Sequence, residues 1–149
     1  MTDREEAAKN YFLQGYNCAQ AVLLAFADKT GLSPQQSAAF ASSFGGGMGR
    51  MREVCGTVSG MFLALGAIEG YSDPKDGEGK KRQYETVQRL AGEFRAENGS
   101  IICRELLAGP ASTAPTPEER TAAYYKKRPC ADLVACAAGI LERYLEKSK

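Results

Sequence analysis

The residues in this chain best suited to chemistry are its five cysteines, Cys18, Cys55, Cys103, Cys130 and Cys136. A thiolate is both a nucleophile and a soft metal ligand. Cysteines that meet in space therefore support either thiol–disulfide exchange or the holding of a metal or iron–sulfur centre. Their spacing narrows the choice. They are widely spread, with no C-x-x-C pair, so zinc-finger and thioredoxin-like arrangements are excluded. Histidine is absent altogether. That removes Ser-His-Asp and Cys-His catalysis, imidazole-bound zinc or haem, and histidine pH switching. Any transition metal here would be held mainly by thiolate or carboxylate.

Helices must carry these cysteines. The chain is organised around Gly45–Gly60, reading GGGMGRMREVCGTVSG, in which a glycine loop runs into Cys55 with Arg50 and Arg52 just before it. Upstream, residues 3–29 read as helix broken at Gly15. Asn17 caps the part that carries Cys18, Ala21, Val22, Ala25 and Phe26 as one stripe. Gly31 ends it, and Ser33-Pro34 opens a helix bearing Ala38, Ala39 and Phe40. Downstream of the loop, an apolar helix is expected from about Val54 to Gly70. Gly56, Gly60 and Ala64 form a small-residue groove on it, each glycine costing about 1 kcal/mol relative to alanine. A long amphipathic helix follows over 78–98, with Tyr84, Val87, Leu90, Ala91 and Phe94 inward. Ser100 then caps a short helix, 101–107, that holds Cys103. Gly109–Pro117 reads as loop, Glu118–Lys126 as helix, and the last helix starts near Pro129 and runs to about Lys147. No strand, repeat or linker is evident, so the expectation is an all-α, single-domain multi-helix bundle spanning residues 1–149.

In this reading four cysteines, Cys18, Cys55, Cys103 and Cys130, fall in first helical turns. There, unsatisfied N–H groups and the positive end of the helix dipole favour a thiolate. Cations stand nearby in sequence: Arg50 and Arg52 for Cys55, Arg104 for Cys103, and Lys126, Lys127 and Arg128 for Cys130. The competing explanation is that a free cysteine is a common small core residue. Cys136, mid-helix at the edge of an apolar stripe, is read that way. The run Lys126–Arg128 is read as a solvated face. Glu53, Glu69 and Asp132 are undistinguished partners for a thiol. GGGMG lacks the Gly-Lys-Ser/Thr of a phosphate loop and follows no strand, so it reads as a turn close to a neighbouring helix.

Composition bounds the function. The net charge is +1 with acids and bases interspersed, which gives no electrostatic case for nucleic acid or an anionic membrane. No apolar run approaches the roughly 20 residues of a spanning helix, so membrane insertion is not expected. The polar, acidic start MTDREEAAKN is unlike a secretory signal. The expected location is therefore cytoplasmic, where lasting structural disulfides are uncommon.

Asn17-Cys18-Ala19-Gln20, the glycine loop into Cys55-Gly56-Thr57-Val58-Ser59-Gly60, and the outlying Cys103 and Cys130 together resemble the C_GCAxxG_C_C family, whose members are described as redox-active. The likeness runs from about Gly15 to about Glu142, with Thr57 where the family more often has alanine. The resemblance implies an all-helical domain and a redox role for Cys18, Cys55, Cys103 and Cys130, with Cys136 outside the pattern. Similar domains also occur beside haem-binding segments in electron-transfer proteins with an associated iron–sulfur centre. The absence of C-x-x-C-H rules out covalent haem attachment here.

Three functions compete. In the first, Cys55 is the attacking thiolate and one of Cys18, Cys103 or Cys130 resolves it, which requires a Cα separation below about 7 Å. In the second, Cys18, Cys55, Cys103 and Cys130 ligate an iron–sulfur cluster or another metal, with ligands from one chain or from both subunits of a homodimer. In the third, the chain is a non-catalytic helical binding or oligomerisation module. No redox partner or substrate can be named from the residues.

Overall fold

A computed structural model describes residues 1–107 and 109–148. It is all-α. The helices are α1 (Asp3–Leu13), α2 (Cys18–Leu24), α3 (Ala27–Thr30), α4 (Pro34–Ala41), α5 (Gly56–Glu69), α6 (Gly77–Asn98), α7 (Cys103–Leu106), α8 (Ala122–Lys127) and α9 (Cys130–Lys147), with a 3-10 turn at Ser42–Phe44. The starts are chemically marked. Reciprocal capping boxes join Thr2 to Glu5, Asn17 to Gln20 and Ser33 to Gln36. Each satisfies two otherwise orphaned backbone donors. Asp76 caps α6, and Gly99 ends it at φ 89°, a conformation glycine adopts without penalty.

The core forms where α1, α2, α5, α6 and α9 meet. Phe12, Phe26, Phe94, Leu23, Met61, Leu65, Leu90, Ile140 and Leu141 are its largest fully buried side chains. Truncating one of these phenylalanines to alanine costs about 3–5 kcal/mol in a close-packed interior. The groove on α5 is filled from within the chain. A Cβ on Gly60 would lie 2.6 Å from the Ala19 carbonyl oxygen and 2.9 Å from its Cα, so α2 rests backbone-to-backbone on α5. Among the described residues, no helix is long and apolar enough to cross a membrane.

Several expectations need correction. Tyr84 is outside the core, edge-on to Tyr71 with ring centroids 6.4 Å apart. The segment expected to be helical from Glu118 is helical only from Ala122, with Thr121 as the cap. Finally, α5 starts after Cys55 rather than at Val54, because Val54 pairs with Ile102 in an isolated antiparallel bridge.

Candidate functional site

Four helix starts converge at one end of the bundle. Cys18, Cys103 and Cys130 are the first residues of α2, α7 and α9, and Cys55 is the residue preceding α5. All four line one small cavity of about 60 Å³. Gly46, Gly47, Gly56, Arg52, Arg120, Tyr124 and Arg128 contribute to its wall.

Local pairing and missing side chains bring these sulfurs together. Before α5 the chain is extended and runs beside the entry to α7. The Cys55 N–H donates to the Ile101 carbonyl at 2.8 Å, and the Cys103 N–H donates to the Glu53 carbonyl at 2.6 Å. A Cβ on Gly56 would lie 2.7 Å from the Phe44 carbonyl oxygen and 3.4 Å from the Cys18 Cβ. A Cβ on Gly47 would lie 2.7 Å from the Cys103 Cβ. The glycines of GGGMG and α5 thus clear space for cysteines and for the backbone around them.

The loop itself is left-handed. Gly46, Gly47, Met48, Gly49 and Arg50 all have φ between 60° and 74°, and Arg52 has φ 62°. For an L-residue this conformation costs roughly 1–2 kcal/mol, so Met48, Arg50 and Arg52 are held there by their surroundings. The N–H groups of Arg50, Arg52 and Glu53 donate to the carbonyls of Gly45, Gly46 and Gly47 at 3.1, 3.2 and 2.9 Å. The turn directs two guanidinium groups onto the segment 112–118. Arg50 Nη1 donates to the Ala114 carbonyl at 2.5 Å and to that of Thr116. Arg52 Nε donates to the Ser112 carbonyl at 3.0 Å, and its Nη1 to the Cys103 sulfur at 3.8 Å.

The electrostatics redistribute the roles expected from sequence. The pKa of Cys55, expected to be lowered, is raised instead. Its sulfur is buried and its pKa is pushed up to about 11 by that burial, only partly offset by the Thr57 hydroxyl and N–H that face it. Arg52 serves Cys103 and Arg50 serves carbonyls, so neither cation activates Cys55. Cys103 is likewise raised by burial, which outweighs the pull of Arg52. Cys130 is the exception. Its pKa is lowered, first by the hydrogen bond from the Cys18 thiol and then, against the cost of burial, by Arg128, Arg120 and Arg52. Cys18 is correspondingly raised well above the ordinary thiol value, because it retains the proton it shares with Cys130. When the pair loses a proton, the arginines favour the resulting anion on Cys130 rather than on Cys18. Cys130 is also the least buried of the four, and Cys18, Cys55 and Cys103 are enclosed.

Arg120, Tyr124 and the inward turn of Arg128 were not legible as site features. Arg120 donates to the carbonyls of Phe12 and Tyr16, both at 3.1 Å, and lies over the Phe12 ring at 4.5 Å. Arg128 is not part of a solvated face. It turns inward to Glu118 and sits 5.3 Å from the Tyr124 ring centre. Its position two residues before Cys130 was the one available signal. Cys136 lies apart from the four, as expected, but it does more than pack: its thiol donates to Glu97 Oε2 at 2.8 Å. The carboxylates Glu53, Glu69 and Asp132 engage Arg104, Tyr144 and Lys9, and none lines the cavity.

All five cysteines are free thiols. Four thiols are a suitable donor set for an iron–sulfur centre. Among the described residues, no three cysteine, aspartate or glutamate side chains are grouped as a metal ion requires. Arg52 also points a guanidinium N–H at one of the four sulfurs.

No curated protein and no solved structure matches this chain. One family model does, over residues 16–144, and its description reads "Putative redox-active protein (C_GCAxxG_C_C)". The match covers most of the chain and takes in all four cavity cysteines, so the chain belongs to the C_GCAxxG_C_C family.

Proposed function

We propose that this chain is a thiol–disulfide redox protein in which Cys130 attacks and Cys18 resolves. The observation that carries this reading is the meeting of four distant cysteines, Cys18 and Cys130 among them, in one arginine-walled cavity. A thiolate that is accessible and stabilised by cations is the form that attacks a disulfide, and a neighbouring thiol completes the exchange. Cys130 thiolate displaces one sulfur of a disulfide substrate and forms a mixed disulfide. Cys18, giving up its proton, then attacks Cys130 Sγ and releases the second substrate sulfur as a thiol. Two electrons pass to the substrate and a Cys18–Cys130 disulfide remains. Cys55 and Cys103, buried and protonated, stand in the same cavity as slower thiols.

Intact-mass analysis and alkylation mapping before and after mild oxidation test this. The expected product has lost two hydrogens and carries a single disulfide mapped to Cys18 and Cys130. A protein whose five thiols all remain alkylatable after oxidation would defeat the reading. A cytoplasmic setting, with its reducing thiol pool, suits such a cycle.

A further inference from the structure

A second, larger cavity of about 280 Å³ adjoins the cysteine chamber and shares Arg52, Arg120, Tyr124 and Arg128 with it. Arg50 also lines it, so four guanidinium groups face one cleft. Among the described residues, the only carboxylate lining that cleft is Glu118. A single oxygen of that carboxylate, Oε1, receives Arg50 Nη2 at 3.3 Å, Arg52 Nη2 at 3.9 Å and Arg128 Nη2 in closer contact. The Glu118 side chain is 43% exposed, and the chain on either side of it has no helical hydrogen bonds. It therefore reaches into the cleft from a segment at the surface.

Pinning the 112–118 segment would not by itself need four cations. Arg50 and Arg52 do that through the carbonyls of Ser112, Ala114 and Thr116. The Arg128 guanidinium contributes nothing to that anchoring except through Glu118, its one side-chain hydrogen-bond partner among the described residues. Planar guanidinium groups match carboxylates in both charge and geometry. A cleft near 300 Å³ admits a small molecule rather than a peptide chain.

We infer that this cleft is an anion subsite that delivers small carboxylate-bearing disulfides to Cys130, with the Glu118 carboxylate as its displaceable internal occupant. The inference rests on the thiol–disulfide reading for its chemistry and on the cleft alone for its charge preference. An incoming carboxylate takes the place of Glu118 on Arg128 and Arg52, and the disulfide behind it reaches the adjoining cysteine chamber. The exchange then runs as above. One carboxylate-bearing thiolate leaves when Cys130 attacks, and the second leaves when Cys18 closes the protein disulfide.

Matched probes separate the two layers. The first is 3,3′-dithiodipropionate, an anionic disulfide, compared with its neutral diamide. The second is octanedioate, which replaces both sulfurs with carbon and so reports binding without thiol chemistry. Reduced protein is expected to react with the dicarboxylate roughly tenfold faster than with the diamide at low ionic strength, the value of one charge-assisted hydrogen bond. The ratio should fall towards one as salt screens the cleft. Octanedioate should bind by calorimetry, less tightly in R128Q and more tightly in E118Q. Opposite movement in the two variants is something a merely destabilised fold would not produce.

Equal rates for the two disulfides, or no binding of octanedioate, overturns the subsite. If octanedioate binds as expected and neither disulfide reacts, the delivery to Cys130 and the thiol–disulfide reading fall together, and an anion cleft without that chemistry remains. If both disulfides react equally and octanedioate does not bind, the redox reading stands and the subsite falls.

Discussion

Cys130 and Cys136 lie less than two turns apart on α9. Both are partly buried, yet they face opposite environments. Cys130 opens the helix and meets the Cys18 thiol and the guanidinium groups of Arg128, Arg120 and Arg52, which hold its pKa below the usual thiol value. Cys136 faces the Glu97 carboxylate, 2.8 Å away, and burial together with that carboxylate lifts it to about 11. The difference shows that the acidity of each thiol is set by its burial and by the groups that face it, more than by helix position. The same holds within the cavity, where Cys55 and Cys103 share the helix-start setting and are nonetheless raised.

Replacing each of these two cysteines by serine is the sharpest test of that contrast. Cys130→Ser should lower the rate of reaction with a small disulfide at neutral pH by orders of magnitude, as removal of a nucleophile does. Cys136→Ser should leave that rate within a factor of two or so, because an exposed-edge thiol held protonated contributes little. Comparable losses in both variants would erase the distinction.

Alkali probes the buried, neutral thiols. The folded pKa of Cys55 lies above its unfolded value, so the stability it contributes is complete below the unfolded pKa and disappears as pH rises through the folded one. Thermal or denaturant unfolding should therefore weaken between about pH 9 and pH 11, with on the order of 2–3 kcal/mol lost. Cys55→Ala should remove that share of the alkaline decline and leave the shares of Cys18 and Cys136, which are also raised. A wild-type stability curve that is level over this range would contradict the enclosed geometry.

The glycines sharpen the comparison between the cysteine end and the rest of the bundle. Gly60→Ala forces a methyl group into the backbone of Ala19 and should cost about 1–3 kcal/mol in denaturant unfolding. Gly92→Ala, on α6 with nothing within 4 Å of its would-be Cβ, should instead gain up to about 1 kcal/mol through helix propensity. The smallest effect is electrostatic. Arg128→Gln should move the pH–rate profile of thiol exchange to higher pH and lower the rate at neutral pH by roughly three- to tenfold. Lys127→Gln, at an exposed neighbour, should move neither.

Much of the architecture is legible from short-range patterns. Asn17 with Gln20 and Ser33 with Gln36 mark helix starts whose caps form as their residue types require. The placement of Cys18, Cys103 and Cys130 at helix entries follows from the same signals, even though Ile102, not Ser100, is the residue preceding α7. The misplaced start of α5 has a definite cause. Val54 takes its partner from Ile102, far along the chain, and a bridge formed across that distance leaves no trace in the local pattern. Tyr84 lies outside the core because periodicity shows which residues share a face without showing which of them meet the core.

Capping residues and apolar periodicity therefore mark an all-helical chain, and the absence of histidine leaves cysteine as its residue type best suited to chemistry. Those are properties of residue type and of hydrogen bonds made within a few positions. Which sulfur carries the charge is fixed elsewhere. It depends on Cys18, Arg128, Arg120 and Arg52 facing Cys130 and lowering its pKa, and on the Cys130 contact at Cys18 and burial at Cys55 and Cys103, which raise theirs. Coulomb interaction and desolvation act through space, so the ranking of these thiols exists only once the chain has folded.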